Sequence, residues 1–281
     1  MRKILSLLIV FSLLFSPIAW ARDLYQAQKP PLGGTIDWSH PLSKGLVGCW
    51  LFQPKGFNPI FPKNLVSGVT YITSGNDALP ESLNPGVDNN GSYIHPDFNN
   101  CFNSSNDRLV NSMDIKNYTA IVAFKQMSTT ISGGHLVVNS AALRFNGNKW
   151  AFFKVGVGGN FDGTTTINPY QYYVGGFTLG SNGKLARLYL NGKIDNTNTN
   201  YGTTFSPGGN VTIAALNTGN NDANTTRYYY VYIYNRALSP QEIQQLYIDP
   251  YCFIKQPSYR LYAPTEVPPV TVEFNTQIFI L

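Results

Sequence analysis

The chain has 281 residues and a formal net charge of +5, and charged side chains make up only 12% of it. So small and scattered a balance excludes an electrostatic case for nucleic acid or an anionic membrane surface as partner. Tyr, Phe, Asn, Gly and Thr are abundant instead, a mixture that favours strands joined by turns over helices.

Arg2 and Lys3 precede an apolar run over residues 4–15, Ser16-Pro17 breaks it, and Ala19-Trp20-Ala21 supplies a small-x-small ending. That order predicts a secretory signal peptide over residues 1–21, removed after Ala21, and a secreted, periplasmic or cell-surface location. Residues 4–21 also approach the roughly 18 apolar residues of a spanning helix, so an uncleaved anchor is the rival reading. After signal removal, no later stretch is long and apolar enough for a membrane span. Residues 22–45, with Pro30-Pro31 and Gly33-Gly34, read as an extended N-terminal leader on the surface of one domain over residues 46–248.

From Leu46 to Phe52 the chain is nearly continuously apolar, as expected of a strand buried on both faces. Residues 53–108 are rich in Pro, Asn, Ser and Gly and read as loops with weak strands. Over residues 117–127, Tyr118, Ala120, Val122 and Phe124 alternate with Thr119, Ile121 and Ala123, and both sets are apolar enough for an inner strand. Asn146-Gly147, Asn182-Gly183 and Asn191-Gly192 are each flanked by strand formers and predict tight hairpins in an antiparallel meander. Further strands are expected at residues 211–216 and 227–234. Ser239-Pro240-Gln241-Glu242 is a capping box opening a short helix, with Ile243, Leu246 and Tyr247 on one face and Asp249-Pro250 at its end. Residues 249–281 read as a Pro-interrupted C-terminal tail with a last strand at 270–274. Many short strands and one short C-terminal helix predict an all-β, two-sheet antiparallel sandwich.

Four stretches occur in a telling order: Gly-Leu-Val-Gly-Cys-Trp-Leu-Phe at 45–52, Asn-Leu-Val-Ser-Gly at 64–68, Leu-Ala-Arg-Leu-Tyr-Leu-Asn-Gly-Lys at 185–193, and Val-Tyr-Ile-Tyr-Asn-Arg-Ala-Leu-Ser at 231–239. Gln-Glu-Ile-Gln-Gln-Leu-Tyr at 241–247 follows the last. Together they resemble the laminin-G-like branch of the concanavalin A-like lectin/glucanase superfamily, over about residues 45–248. The resemblance implies a jelly roll whose first and last strands are neighbours. The chain departs from that pattern with Tyr229-Tyr230 in place of an Asp-Glu pair and Tyr232 in place of a common Arg. Residues 168–173 replace a Trp-His-His-like start, and Gln53-Pro54-Lys55 replaces an acidic cluster.

Glycosidases of that superfamily carry alternating carboxylates on one strand, set about 5–5.5 Å apart in retaining enzymes and about 6.5–9.5 Å apart in inverting ones. This chain has no such strand: Glu242 is a cap, and Glu81, Glu266 and Glu273 stand alone. No cofactor is required by any motif. Calcium is the metal its turn residues suit, through Asp88 and Asp222, although Asn, Asp and Gly are also what turns require. The strongest binding feature is aromatic. Strand alternation puts Tyr228, Tyr230, Tyr232 and Tyr234 on one face, a candidate platform for sugar rings together with Trp150; the alternative is that they pack beneath a loop or the tail. If the terminal strands are neighbours, Cys49 and Cys252 are candidates for a disulfide worth about 5 kcal/mol; otherwise they are two small buried thiols.

These readings lead to an exported, non-catalytic recognition module for carbohydrate or cell-surface glycan, with a glycan or surface protein as partner. A structural or adhesive protein of a cell surface or virion is the alternative, and a divergent glycan-degrading enzyme is the third reading. Recognition predicts aromatics exposed beside polar loops, a structural role predicts them buried by the tail or by a second subunit, and two carboxylates converging in one cleft at glycosidase distance would favour the enzyme.

Overall fold

The computed structural model describes residues 29–30, 33–52, 63–68, 72–74, 83–96, 101–104, 117–129, 134–138, 141–154, 160–202, 211–214 and 226–256. In chain order these form β1 (Thr35–Ile36), β2 (Leu46–Leu51), β3 (Ile72–Ser74), β4 (Leu83–Asp88), β5 (Gly91–Pro96) and β6 (Cys101–Ser104). Then come β7 (Tyr118–Gln126), β8 (Gly134–Val138), β9 (Ala141–Asn146), β10 (Lys149–Lys154), β11 (Asn160–Thr166) and β12 (Tyr172–Gly180). The series ends with β13 (Leu185–Leu190), β14 (Lys193–Asn198), β15 (Val211–Ile213), β16 (Thr226–Tyr234), the helix α1 (Pro240–Ile248) and β17 (Ile254–Lys255). A seven-stranded sheet runs β11-β10-β9-β8-β15-β6-β3 and an eight-stranded sheet β14-β13-β12-β7-β16-β5-β4, with β2 also on β16. The pairings are antiparallel, which makes the expected all-β sandwich with one C-terminal helix. The expected signal peptide and the strand at 270–274 lie outside the described residues.

The predicted hairpins form where Asn and Gly can take positive φ. Asn182 and Gly183 sit at +57° and +86°, Asn191 and Gly192 at +50° and +77°, and Gly147 at +55°. The capping box also closes as read, with the Ser239 side chain accepting from the Glu242 amide and Glu242 reaching back to the Ser239 amide. Residues 83–96, read as loop with weak strands, instead pair as the β4–β5 hairpin around Asn89-Asn90. Apolar alternation is weak there because the pairing is carried by backbone.

β7 and β16 lie side by side at the centre of the larger sheet, from Thr119 opposite Tyr234 to Gln126 opposite Thr226. Apart from Lys125 and Arg227 at one end, both strands are buried on both faces. Ala120, Val122 and Phe124 of β7 point into the inter-sheet core, and Ile121 and Ala123 into a second cluster on the outer face. In β16 the simple alternation fails. Tyr228 pairs with Phe124 and Tyr230 with the adjacent Ala123, so Tyr229 is an extra, bulged residue that resets the phase of the strand. Tyr228 therefore enters the inter-sheet core, while Tyr230, Tyr232 and Tyr234 enter the outer cluster. All four are buried, so the expected one-faced tyrosine platform is corrected. Trp150 is core as well: its indole lies where a Cβ on Gly175 would meet it at 2.4 Å, and its ring stacks on Phe124 at 5.0 Å.

The outer cluster is covered by the chain's own ends. β1 and β17 pair, with Thr35 opposite Lys255 and Ile36 opposite Ile254. Leu42, Phe253 and Ile254 join Ile243 and Leu246 of α1 over the tyrosines. The Tyr232 hydroxyl donates to the Pro250 carbonyl at 2.9 Å, Tyr230 stacks on Tyr232 at 4.7 Å, and Phe253 meets Tyr232 edge-on at 5.2 Å. Each buried tyrosine ring removes roughly 150 Å² or more from water. At about 25 cal/mol per Å² that is about 4 kcal/mol per ring, enough to hold the two terminal segments down. On the free edge of β2, the buried Asn64 side chain accepts from the Cys49 and Val66 amides, satisfying backbone that no strand pairs.

The candidate disulfide is also corrected. β2 and β16 are neighbours, as the resemblance implied, with Cys49 opposite Tyr232, yet Cys49 and Cys252 are both free thiols. Cys49 faces outward beneath the tyrosines and Cys252 sits half-buried in the turn after α1, each within electrostatic reach of Tyr234. Burial pushes the Cys49 thiol up, and burial together with Asp249 pushes Cys252 up to about 11, so both stay protonated and unreactive at neutral pH.

The two sheets are clasped along one edge by polar groups. The Asp195 carboxylate of β14 accepts from the Thr164 amide and hydroxyl and from the Thr165 amide, with the Thr165 hydroxyl closing at 2.6 Å. Gly163 is required beside it, because a Cβ there would stand 2.0 Å from the carboxylate.

His135 is the one buried imidazole set among the core aromatics, stacked on Phe124 at 4.9 Å and edge-on to Phe145 at 4.2 Å. Its Nδ1 is 3.0 Å from the Tyr228 hydroxyl. Burial lowers its pKa from 6.5 to about 3, so it stays neutral when folded. Between those values the unfolded chain takes up a proton that the folded chain does not, and stability falls as pH falls, by about 1.4 kcal/mol per unit. Urea denaturation at pH 7 and pH 5 should therefore show a loss of about 2 kcal/mol from this group. His135→Phe should narrow the gap between the two pH values; a gap as wide as the wild type's would contradict the assignment.

Candidate functional site

The end of the larger sheet where β7 finishes and β16 begins gathers the polar side chains. Register places Tyr172 of β12 opposite Lys125 of β7, and Lys125 opposite Arg227 of β16. All three lie on the outer face, beyond the apolar part of the second cluster, because Lys125 follows Ile121 and Ala123 in alternation. The β4–β5 hairpin adds Asp88 and Tyr93.

Asp88 is the hub. Its Oδ2 accepts from Arg227 Nη1 at 2.9 Å and from the Tyr229 hydroxyl at 2.8 Å, its Oδ1 from the Asn90 amide at 2.8 Å, and Lys125 Nζ stands 3.7 Å away. Burial pushes this carboxyl up, but the hydrogen bonds from Asn90, Tyr229 and Arg227 outweigh it and hold Asp88 below the ordinary carboxylate range. The Arg227 guanidinium carbon lies 4.2 Å from the centre of the Tyr93 ring, and the Tyr229 ring meets Tyr93 and Tyr172 edge-on at 5.9 and 5.0 Å. Two cations thus share one carboxylate on a floor of three tyrosines.

Beside them, the turn between β11 and β12 holds Tyr170 at a φ of +63°, in the left-handed region that a non-glycine residue seldom adopts. Its amide donates to the Gln126 carbonyl at 2.7 Å, which fixes the turn to the end of β7. Gln126 is in turn bonded through its side chain to the Thr226 hydroxyl, one residue from Arg227. The Tyr173 hydroxyl accepts from the Asn168 amide at 3.1 Å and donates to Gln171 Oε1 at 2.9 Å, bracing the turn from below. The Tyr170 ring is 54% exposed. Strained backbone that presents an exposed aromatic ring, in a turn tied to the end of β7, is a combination that recurs at binding sites.

Of the residues singled out from sequence, the structure brings together neither Trp150 nor Tyr228, Tyr230, Tyr232 and Tyr234 at any surface. Asp88, the calcium candidate of the sequence, is the shared partner of Arg227, Lys125 and Tyr229. Asp222 lies outside the described residues. Among the described residues no three His, Cys, Asp or Glu side chains cluster for a metal, and no helix is long and apolar enough to cross a membrane. Lys125, Arg227, Tyr93 and Tyr170 were not singled out. Their signal is faint, a charge closing each of two apolar strands and Asn-Pro ahead of Tyr170, and it becomes a site only through pairings between distant segments.

Residues 110–244 match the family model of the concanavalin A-like lectin/glucanases superfamily. The chain is similar to the binding domain of botulinum neurotoxin serotype D/C, at 15% identity and a TM-score of 0.51, over 73% of this chain and 52% of that one. It is also similar to domain 4 of AbnA, an extracellular arabinanase from Geobacillus stearothermophilus, solved with arabinotriose, at 14% identity and a TM-score of 0.52, over 72% and 97%. A third likeness is to the binding domain of Paraclostridial Mosquitocidal Protein 1, at 13% identity and a TM-score of 0.51, over 73% and 52%. The chain spans about half the length of the two toxin binding domains. These likenesses show the fold. No curated protein matches the sequence significantly.

Removing the Tyr170 side chain should relieve its backbone strain. Tyr170→Gly should leave stability within about 1 kcal/mol of wild type, because the relief at positive φ offsets the entropy that glycine adds to the unfolded chain. Thermal melts check this, and a loss of several kcal/mol would mean that the ring packs as structure.

Proposed function

We propose that this concanavalin A-like sandwich is an exported, non-catalytic recognition module that binds glycan at the end bearing Tyr170, Gln171, Lys125 and Arg227. The observation that carries this reading is the exposed Tyr170 ring on strained backbone. A sugar's C–H face stacks on such a ring, while its hydroxyls bond to polar groups of the same end of the sheet. The arabinanase domain supports the ligand class, since it was solved with arabinotriose and shares this fold.

A structural or adhesive role expects a covered tyrosine face, and Tyr230, Tyr232 and Tyr234 are covered. The cover is the chain's own leader and tail, one of the two covers the structural reading expects, so the recognition reading rests on Tyr170 and not on those three rings. Against an enzyme, each described carboxylate is engaged locally: Asp37 by Ser39 and Lys255, Asp88 by Arg227, Asp162 by Asn146, Asp195 by Thr164 and Thr165, Glu242 by Arg236, and Asp249 by the Tyr251 amide.

A glycan array probed with residues 22–281, with and without calcium, tests the proposal. Binding to a defined subset is expected, weakened about tenfold in Tyr170→Gly, the worth of one aromatic stack of about 1.4 kcal/mol. An empty array together with stable self-association would sink the recognition reading and favour the structural one.

A further inference from the structure

Three backbone carbonyls converge on the side chain of Lys29, in the N-terminal leader: Phe52 at 2.5 Å, Tyr229 at 2.7 Å and Ser92 at 2.8 Å. They come from the residue after β2, the bulge of β16 and the β5 strand, which meet where β16 passes from one partner to the other. On its outer edge β16 pairs with β2 from Tyr234 to Tyr230 and with β5 at Tyr228. The bulge between these pairings leaves carbonyls turned out of the ladder, and the Phe52 amide reaches the Tyr229 carbonyl at 3.2 Å.

Burial alone pushes the Lys29 amine well below the ordinary lysine range. The cage acts the other way. An ammonium has one N–H for each of three oxygens, whereas a neutral amine has two and a lone pair that would face the third. The site is built for a cation, and the leader supplies it.

Two of the three carbonyls belong to the recognition end. Tyr229, whose carbonyl Lys29 holds, donates its hydroxyl to Asp88. Ser92, whose carbonyl Lys29 also holds, precedes Tyr93, the ring on which Arg227 lies. We propose that Lys29 is a positioning residue for the recognition end: seated in the cage, its ammonium fixes the Tyr229 bulge against β5 and so holds Asp88, Arg227 and Tyr93 in their shared arrangement. Docking of the leader and assembly of the site are then a single event. The functional half of this inference rests on the recognition reading; the geometric half does not.

The test is a carbon-13 NMR titration of the Asp88 carboxyl in the whole chain, comparing wild type with Lys29→Met and Lys29→Gln, with folding followed by circular dichroism. Both variants should fold, and the Asp88 midpoint should rise toward the ordinary carboxylate value of about 3.9 as Tyr229 and Arg227 lose their positions. An Asp88 midpoint unchanged from wild type in the folded variants would overturn the proposal. So would failure of both variants to fold, because a lock local to this end leaves the two-sheet core standing. The titration uses no glycan, so an empty array would remove the recognition reading and leave this result in place.

Discussion

From Tyr228 onward strand β16 is buried on both faces, and the rest of the molecule is organised by that constraint. Residues Tyr228 to Tyr234 are all buried, so each face of the strand must be covered by something apolar. The seven-stranded sheet covers one face, in the manner of any sandwich. The other needs a third layer, and the chain makes it from α1, the leader and the segment after the helix. Segments that look like appendages in a linear reading are therefore lids on the central strand.

The same strand is interrupted by one extra residue. The Tyr229 bulge rotates the tyrosines that follow it out of the inter-sheet core, and it also marks where β16 leaves β2 for β5. Backbone groups freed from the ladder at that junction must find other partners, and Lys29 and the Phe52 amide are those partners. The Tyr229 side chain, turned to the outer face, reaches Asp88 and through it Arg227 and Lys125. A packing irregularity at the centre of the sheet thus becomes the foundation of a polar, aromatic end, next to a turn that holds Tyr170 in a conformation costing of order 1 kcal/mol.

Local signals carried most of the fold. Asn-Gly pairs marked the hairpins because positive φ is a property of one or two residues, and the capping box marked α1 because both of its hydrogen bonds span three residues. The twofold apolar alternation of residues 118–124 identified β7 as an inner strand. What stayed hidden was nonlocal. Nothing in Tyr228 to Tyr234 distinguishes a bulged strand from a regular one, so alternation placed Tyr228 with the wrong neighbours. Trp150 reads equally as platform or core until Gly175 is seen beneath it. Cys49 and Cys252 do lie in one cluster, but whether two thiols bond depends on their directions, which spacing does not encode. Asp88 was visible as a turn carboxylate. Its partners, 37, 139 and 141 residues away along the chain, were not.

The tyrosine-rich face is sealed by the chain itself, and the proposed recognition surface is the exposed end beside it. Hydroxyl-radical footprinting of the folded protein, read residue by residue in the mass spectrometer, tests this arrangement most directly. Tyr170 and Trp38, the latter 60% exposed, should be oxidised rapidly, with Tyr230, Tyr232 and Tyr234 silent until the protein unfolds. Rapid oxidation of those three in the folded protein, with Tyr170 protected, would contradict it.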